Sequence, residues 1–250
     1  TNTALNYIAE AHWGVSLVAF ECANLTELSH YREKQLQIAL EHAQNACILY
    51  RSIGEKLRHA LLTCQIGLIE QAQGKLDDAR HHLRDVLHIW MPELDKQLQN
   101  VDTNPTEKRH TQEIANVISA VACSLAGIEL EAQQHEEALI YVQQAREAGR
   151  PSYILRRAEA ETMLGRILEA INPKDPEAER AFRQAIQELA ATDRIAARIR
   201  AYEYLGRHLL KKGEEQAGEE ALDRAMRLSH IASKFSSSTI SADNEFDETT

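Results

Sequence analysis

A short pattern recurs along the chain at a nearly fixed distance, and that recurrence restricts the fold more than any single motif. It is clearest from Tyr202 to Leu228, where two amphipathic segments meet at Lys212-Gly213. The first segment carries Leu205-Gly206; the second carries Gly218, Leu222 and Ala225. The set reappears as Ile66-Gly67 with Ala79, Leu83 and Val86, as Leu125-Ala126 with Ala138, Val142 and Ala145, and as Leu164-Gly165 with Ala178, Phe182 and Ala185. A fainter copy holds Ala39, Ala43 and Ala46. Small residues flanking a larger apolar one, on helical spacing, let two helix backbones approach closely. The anchors at 39, 79, 138, 178 and 218 lie 40, 59, 40 and 40 residues apart. A period of that length predicts one helix pair per repeat. No pair buries its apolar face alone, so the pairs must stack into one continuous array.

The Leu-Gly pair of the first segment, followed by Ala-x3-Phe or its equivalent in the second, resembles the tetratricopeptide (TPR) repeat. The plain TPR repeat is about 34 residues long, so a spacing of 40 implies longer helices or connections. In this the chain resembles the long-repeat TPR arrays of bacterial MalT-like regulators, STAND-type ATPases and cyclase-associated regulators. The resemblance covers roughly residues 34–229. It implies an all-α fold, a right-handed α-solenoid of about five antiparallel helix pairs. It further implies a non-enzymatic module binding a protein segment, a peptide or another domain of the same parent chain. Such a module would be the sensor or scaffold region of a larger bacterial signalling or transcription regulator. Fold alone does not fix function. The alternative is a fragment of a multidomain enzyme, such as a STAND-type ATPase, whose catalytic domain lies upstream of Thr1.

Helix starts and stops place the pairs at 4–52, 55–99, 108–149, 151–192 and 194–232. Gly74-Lys75 turns the second pair, and Asp77 and Asp78 then sit where the helix dipole favours negative charge. Gly149-Arg150-Pro151 marks a boundary, with Gly closing one helix and Pro opening the next. Asp175 before Pro176 suits a helix cap with proline at the first position. The 59-residue spacing holds an insertion of 19 residues, placed at 92–111. Within it Pro92 is a candidate kink, and Asn100–Thr106 reads as an exposed loop, either functional or disordered. The polar, serine-rich stretch 233–250 reads as a disordered acidic tail. Trp13 and Phe20 are expected to cover an exposed end of the stack or to meet a segment upstream of Thr1. Leu205 and Leu222 are expected to face each other in the last pair. The chain opens at Thr1 within apparent helix, which predicts that it is cut from a longer protein.

Composition excludes several classes of work. The net charge of −10 opposes broad nucleic-acid binding by this region, which needs cationic surface to displace counterions. No run approaches the roughly 20 apolar residues of a membrane span, and no leader resembles a signal peptide. Cys22, Cys47, Cys64 and Cys123 share no CxxC spacing and read as buried, reduced thiols of a cytoplasmic protein. No phosphate-binding loop, dinucleotide fingerprint, zinc-protease motif or nucleophile elbow is present, so no catalytic residue and no cofactor is assigned. His81, His82 and His88 do not share one helix face and make a poor metal site, so no metal is assigned.

What remains is a surface. In TPR-like arrays the first helices line a concave groove, and carrying those positions over gives two contrasting halves. One presents Leu61, Cys64, Leu68 and Leu130; the other presents Glu159, Arg166, Arg200, Glu203 and Arg207. An apolar half beside an arginine-rich half suits an extended or helical peptide bearing both apolar side chains and carboxylates. The competing reading is a solvated face whose charges pair with one another, since Glu203 precedes Arg207 by four. Glu70 and Glu129 stand where the family has bulky residues, so the groove is expected to differ there.

Overall fold

The computed structural model describes residues 2–26, 28–99, 105–149 and 154–243, with side chains through Ile231 save that of Leu25. Among the described residues there are ten α-helices and no strand. They are α1 (Asn2–Leu25), α2 (Ser29–Ile53), α3 (Lys56–Ala72), α4 (Leu76–Gln99), α5 (Pro105–Glu131), α6 (His135–Gly149), α7 (Ile154–Ile171), α8 (Pro176–Leu189), α9 (Ile195–Lys212) and α10 (Glu215–Asp243). The tightest packing is within the pairs α1/α2, α5/α6, α7/α8 and α9/α10. Two compact units result: Thr1–Ser152, with α1 to α6, and Tyr153–Thr250, with α7 to α10.

The recurring small residues are where helices interlock. A Cβ built on Gly67 would meet Leu83 at 2.8 Å, one on Gly165 would meet the Phe182 ring at 2.5 Å, and one on Gly206 would meet Leu222 at 2.7 Å. In each of these three pairs the glycine of the first helix thus receives the large anchor of the second. Leu222 lies over Gly206 and stays half-buried, while Leu205 joins a separate core with Phe182, Leu209 and Ala221. The turns repeat as well. Gly74 and Gly213 each sit five residues before a second-helix anchor with φ of 77° and 87°, a conformation that suits glycine. At the same point of the third pair stands Gln133, with φ 61°. The α7/α8 turn uses another device: Asp175 caps α8 by accepting from the Glu177 amide at 2.8 Å, with Pro176 at the first helical position.

Three sequence expectations change. Most of the 92–111 insertion is helix, because it lengthens α4 to Gln99 and α5 back to Pro105. Leu94 is buried, and Thr111 Oγ1 lies 2.8 Å from Gln97 Oε1, so the added turns pack on each other. Of the proposed loop, residues 100–104 lie outside the described residues, and Pro105 opens α5 at the position proline favours. The stretch 233–243 continues α10 rather than forming an irregular tail, since it contains neither proline nor glycine. Residues 244–250 lie outside the described residues. Finally, α5 is long and apolar enough to cross a membrane by length and composition, with a mean hydropathy of 1.5. Its apolar window is 67% buried against its neighbours, which is the pattern of a core helix.

Trp13 does not cover an end of the first unit. Its indole N–H donates to Gln65 Oε1 at 2.7 Å, and Gln65 Nε2 donates to Ser16 Oγ at 2.8 Å. Ser16 in turn donates to the Ala39 carbonyl at 2.7 Å. This buried polar chain ties α1 to α2 and α3, and Trp13 meets the Tyr50 ring edge-on at 6.2 Å. Phe20 likewise packs on the core of that unit.

Candidate functional site

In the first unit the expected apolar groove is mostly interior. Cys64 on α3 and Leu130 on α5 are buried, so they are core and offer no surface; Leu61 and Leu68 on α3 are half-buried. The two carboxylates flagged beside them are also interior. Glu70, 6% exposed, takes a 2.8 Å contact from His82 Nδ1 of α4. Glu129, 3% exposed, is gripped by Arg80 at both oxygens (2.8 and 3.2 Å) and by Arg84 at 3.2 Å. The Glu129 contact is the main cause holding the Arg80 guanidinium further into its charged range. His82 is therefore a structural partner of Glu70, while His81 and His88 are exposed. Among the described residues no group of three or more His, Cys, Asp or Glu side chains is placed to hold a metal ion. Cys22, Cys47 and Cys123 are only partly buried, and burial raises the Cys47 thiol.

In the second unit the first-helix face stays open. Arg166 of α7 lies over the Tyr204 ring of α9, 5.2 Å from its centroid. Tyr204 stacks on Phe182 at 6.0 Å with the rings 13° apart, and Phe182 fills the notch above Gly165. The cation-bearing face is thus seated on the same packing that builds the repeat. The acids here are unequally engaged. Glu159 is held by Arg156 at 2.6 Å, and Glu169 lies 3.0 Å from Lys211 and 3.5 Å from the fully buried His208. The His208 contact is at ion-pair distance without hydrogen-bond alignment, leaving both ring nitrogens of His208 unmatched. Glu203 reaches Arg207 only at 4.0 Å, with both groups well exposed. Among the described residues no carboxylate pairs with Arg166 or Arg200.

Of the expected wall, Arg166 lies on α7, against Tyr204 of α9, and Arg200 and Arg207 lie exposed on α9, with Glu159 withdrawn into a local pair and Glu203 loosely engaged. Tyr204, the platform for Arg166, is absent from the sequence reading. The signal for it is its place three residues before Arg207, directly ahead of the Leu205-Gly206 pair. On the second-helix side a separate recess lies between α8, α9 and α10, with Arg183 and Arg224 at its rim and Ile186 and Leu205 below. Both arginines are already paired along their own helices, to Glu179 and Glu220.

Solved structures of similar architecture agree with the repeat reading. BtubC (BKLC) from P. vanneervenii superposes with a TM-score of 0.57 at 16% identity, covering 92% of this chain and 92% of that one. A putative kinesin light chain from Podosopora anserina, with nearly identical TPR-like repeats, superposes with a TM-score of 0.55 at 16% identity. That match covers 88% of this chain and 95% of that one. The fold is TPR-like. No family model matches the sequence, and no curated protein matches it.

Proposed function

We propose that the chain is a non-enzymatic, cytoplasmic protein-binding module, the sensor or scaffold region of a larger bacterial signalling or transcription regulator. Its binding surface is the first-helix face of the second unit, and its ligand is an acidic protein segment or peptide, free or belonging to another domain of the parent chain. The observation that supports this most is the imbalance of charge on α7 and α9. Arg166 and Arg200 have no carboxylate partner among the described residues, and the nearest acid to Arg207 is at 4.0 Å. A guanidinium presents its donors in a fixed fork that fits carboxylates, and stacking on Tyr204 holds Arg166 in place.

The test is a titration of a fluorescein-labelled peptide of alternating Glu and Leu, followed by anisotropy at low and high salt. Wild-type chain binds it with an affinity that falls as salt rises. Arg200→Glu with Arg207→Glu abolishes binding and leaves the helical CD signal intact, since both residues are exposed. Each desolvated arginine–carboxylate contact is worth about 2–5 kcal/mol when one partner is removed. A change of less than about tenfold, or 1.4 kcal/mol, removes the arginine wall from the proposal. The half-buried Leu61 and Leu68 would then be the next residues to substitute.

A further inference from the structure

Among the described residues, one face of α1 has no partner. Its inner side, with Ala9, Ser16, Ala19 and Ala23, is buried in the first unit. On the other side Tyr7, Ile8, Val15 and Val18 are 71, 48, 43 and 65% exposed, with Ala4, Ala11 and Gly14 open between them. Positions 4, 8, 11, 15 and 18 alternate steps of four and three, the spacing of a helix–helix seam. No charged side chain falls on it. The acids of α1 are Glu10 and Glu21, at its flank, and Glu10 is paired with Arg58. A helix apolar on all sides belongs between other helices. In the same unit α5 shows that state, apolar and buried around most of its circumference.

We propose that this stripe is a self-association surface, on which α1 of one copy packs antiparallel against α1 of a second copy around a two-fold axis near Ala11 and Gly14. Its order is bulky, small, bulky: Tyr7 and Ile8, then Ala11 and Gly14, then Val15 and Val18. Small residues are central and bulky ones stand on both sides of them, as a two-fold contact allows. The antiparallel arrangement sets Tyr7 of one copy beside Val18 of the other and Ala11 beside Gly14. Nothing lies within 4 Å of a Cβ built on Gly14, so the centre is free for close approach. The same arrangement places Glu10 beside Val15 and Glu21 beside Ala4, so no like charges meet. A strongly charged partner would instead be desolvated against an uncharged stripe. The exposed apolar surface is on the order of 500 Å² per copy, so a symmetric pair buries about 1,000 Å², the lower bound for specific association. An interface at that lower bound belongs to weak, concentration-dependent association.

Sedimentation velocity of the whole chain, from about 1 µM to about 300 µM, tests this. The weight-average mass should rise across that range toward twice that of the chain. Val18→Glu, at a site 65% exposed, should keep the CD spectrum and remain monomeric throughout. Gly14→Cys should form a disulfide-linked dimer on mild oxidation, at a concentration where Val18→Glu with the same cysteine does not. Val18→Glu should also leave the acidic-peptide titration unchanged, which separates this surface from the arginine wall. Three results each overturn the proposal: a wild-type chain monomeric at every concentration, a Val18→Glu chain that still dimerises, or a mass that climbs past the dimer. The last would mean a head-to-tail contact through a different face.

Discussion

Gly165→Ala isolates the contact on which the repeat is built. In an exposed helix interior, replacing glycine by alanine gains about 1 kcal/mol of helix propensity. Here the new methyl would lie 2.5, 2.7 and 2.8 Å from three carbons of the Phe182 ring, against an ordinary separation of about 3.5–4.0 Å. The ring has to move by about 1 Å. It is fully buried, with Tyr204 stacked on it at 6.0 Å and His208 against its edge at 5.9 Å. Overpacking of this kind costs about 1–3 kcal/mol, and a rigid aromatic hemmed in by two rings belongs at the upper end. The net expectation is a loss of about 2 kcal/mol. Phe182→Ala alone should cost about 3–5 kcal/mol through the cavity it leaves. In that background Gly165→Ala should instead stabilise by about 0.5–1 kcal/mol, giving a coupling of roughly 2–3 kcal/mol. Gly14→Ala, with nothing of its own chain within 4 Å, is the control and should stabilise when measured at a concentration where the chain is monomeric. Urea unfolding followed by CD is the assay, because Trp13 and Trp90 both lie in the first unit and tryptophan fluorescence would not follow the second. A neutral or stabilising Gly165→Ala would refute the interlock. An equal loss with and without Phe182 would show that the ring is not what the methyl meets.

Gln133→Gly should raise stability by about 0.5–1 kcal/mol, because Gln133 occupies the left-handed position that Gly74 and Gly213 fill elsewhere; an unchanged urea midpoint would count against strain there. Glu129→Ala should cost about 2–4 kcal/mol by leaving Arg80 and Arg84 facing an emptied site, whereas Arg84→Ala, at a half-exposed partner, should cost less than about 1 kcal/mol. The Lys212 hydrogen bond, then Arg183, holds the Glu179 carboxyl below its ordinary 4.5. A depressed carboxylate stabilises the fold above its unfolded value and loses that contribution as pH falls through the folded one. Melting of the chain should therefore decline below about pH 4.5, and Lys212→Met should flatten that decline.

The helix pairs were legible because their signal is local and repeated. Leu164-Gly165 with Ala178 and Phe182 describes a notch and its filler, and neither half needs knowledge of the rest of the chain. The extent of α4, α5 and α10 was less legible. Pro92 and the polar stretch after it read as a break, yet Leu94 is buried and the helix runs through. A proline in a helix removes one hydrogen bond, and packing of the following turn offsets that loss only when a partner helix is long enough to meet it. Here α5 is, since Thr111 reaches Gln97. The inward turn of Trp13 was hidden for a similar reason. Its indole donor is satisfied by Gln65, 52 residues away, and nothing near Trp13 in the chain announces that acceptor.

The two units use acidic positions of their first helices for opposite ends, and that contrast is the reason the second is proposed as the binding surface. In the first unit Glu70 and Glu129 point inward and are consumed by His82, Arg80 and Arg84 of α4. Sequence patterning flagged both acids as unusual without finding their partners, because the partners lie on a second helix whose facing side depends on the register of packing. In the second unit the acids Glu159 and Glu169 are tied by Arg156 and Lys211, next to their own positions on the first-helix face. Glu203 meets Arg207 only at 4.0 Å, and among the described residues Arg166, stacked on Tyr204, and the exposed Arg200 have no carboxylate partner. Exposed ion pairs contribute about 0–1 kcal/mol to stability, so folding alone gives little reason to array cations on adjacent helices without neutralising them. The carboxylate-bearing ligand proposed above would supply that reason. Reversing Arg200 and Arg207 should accordingly cost binding far more than it costs the fold.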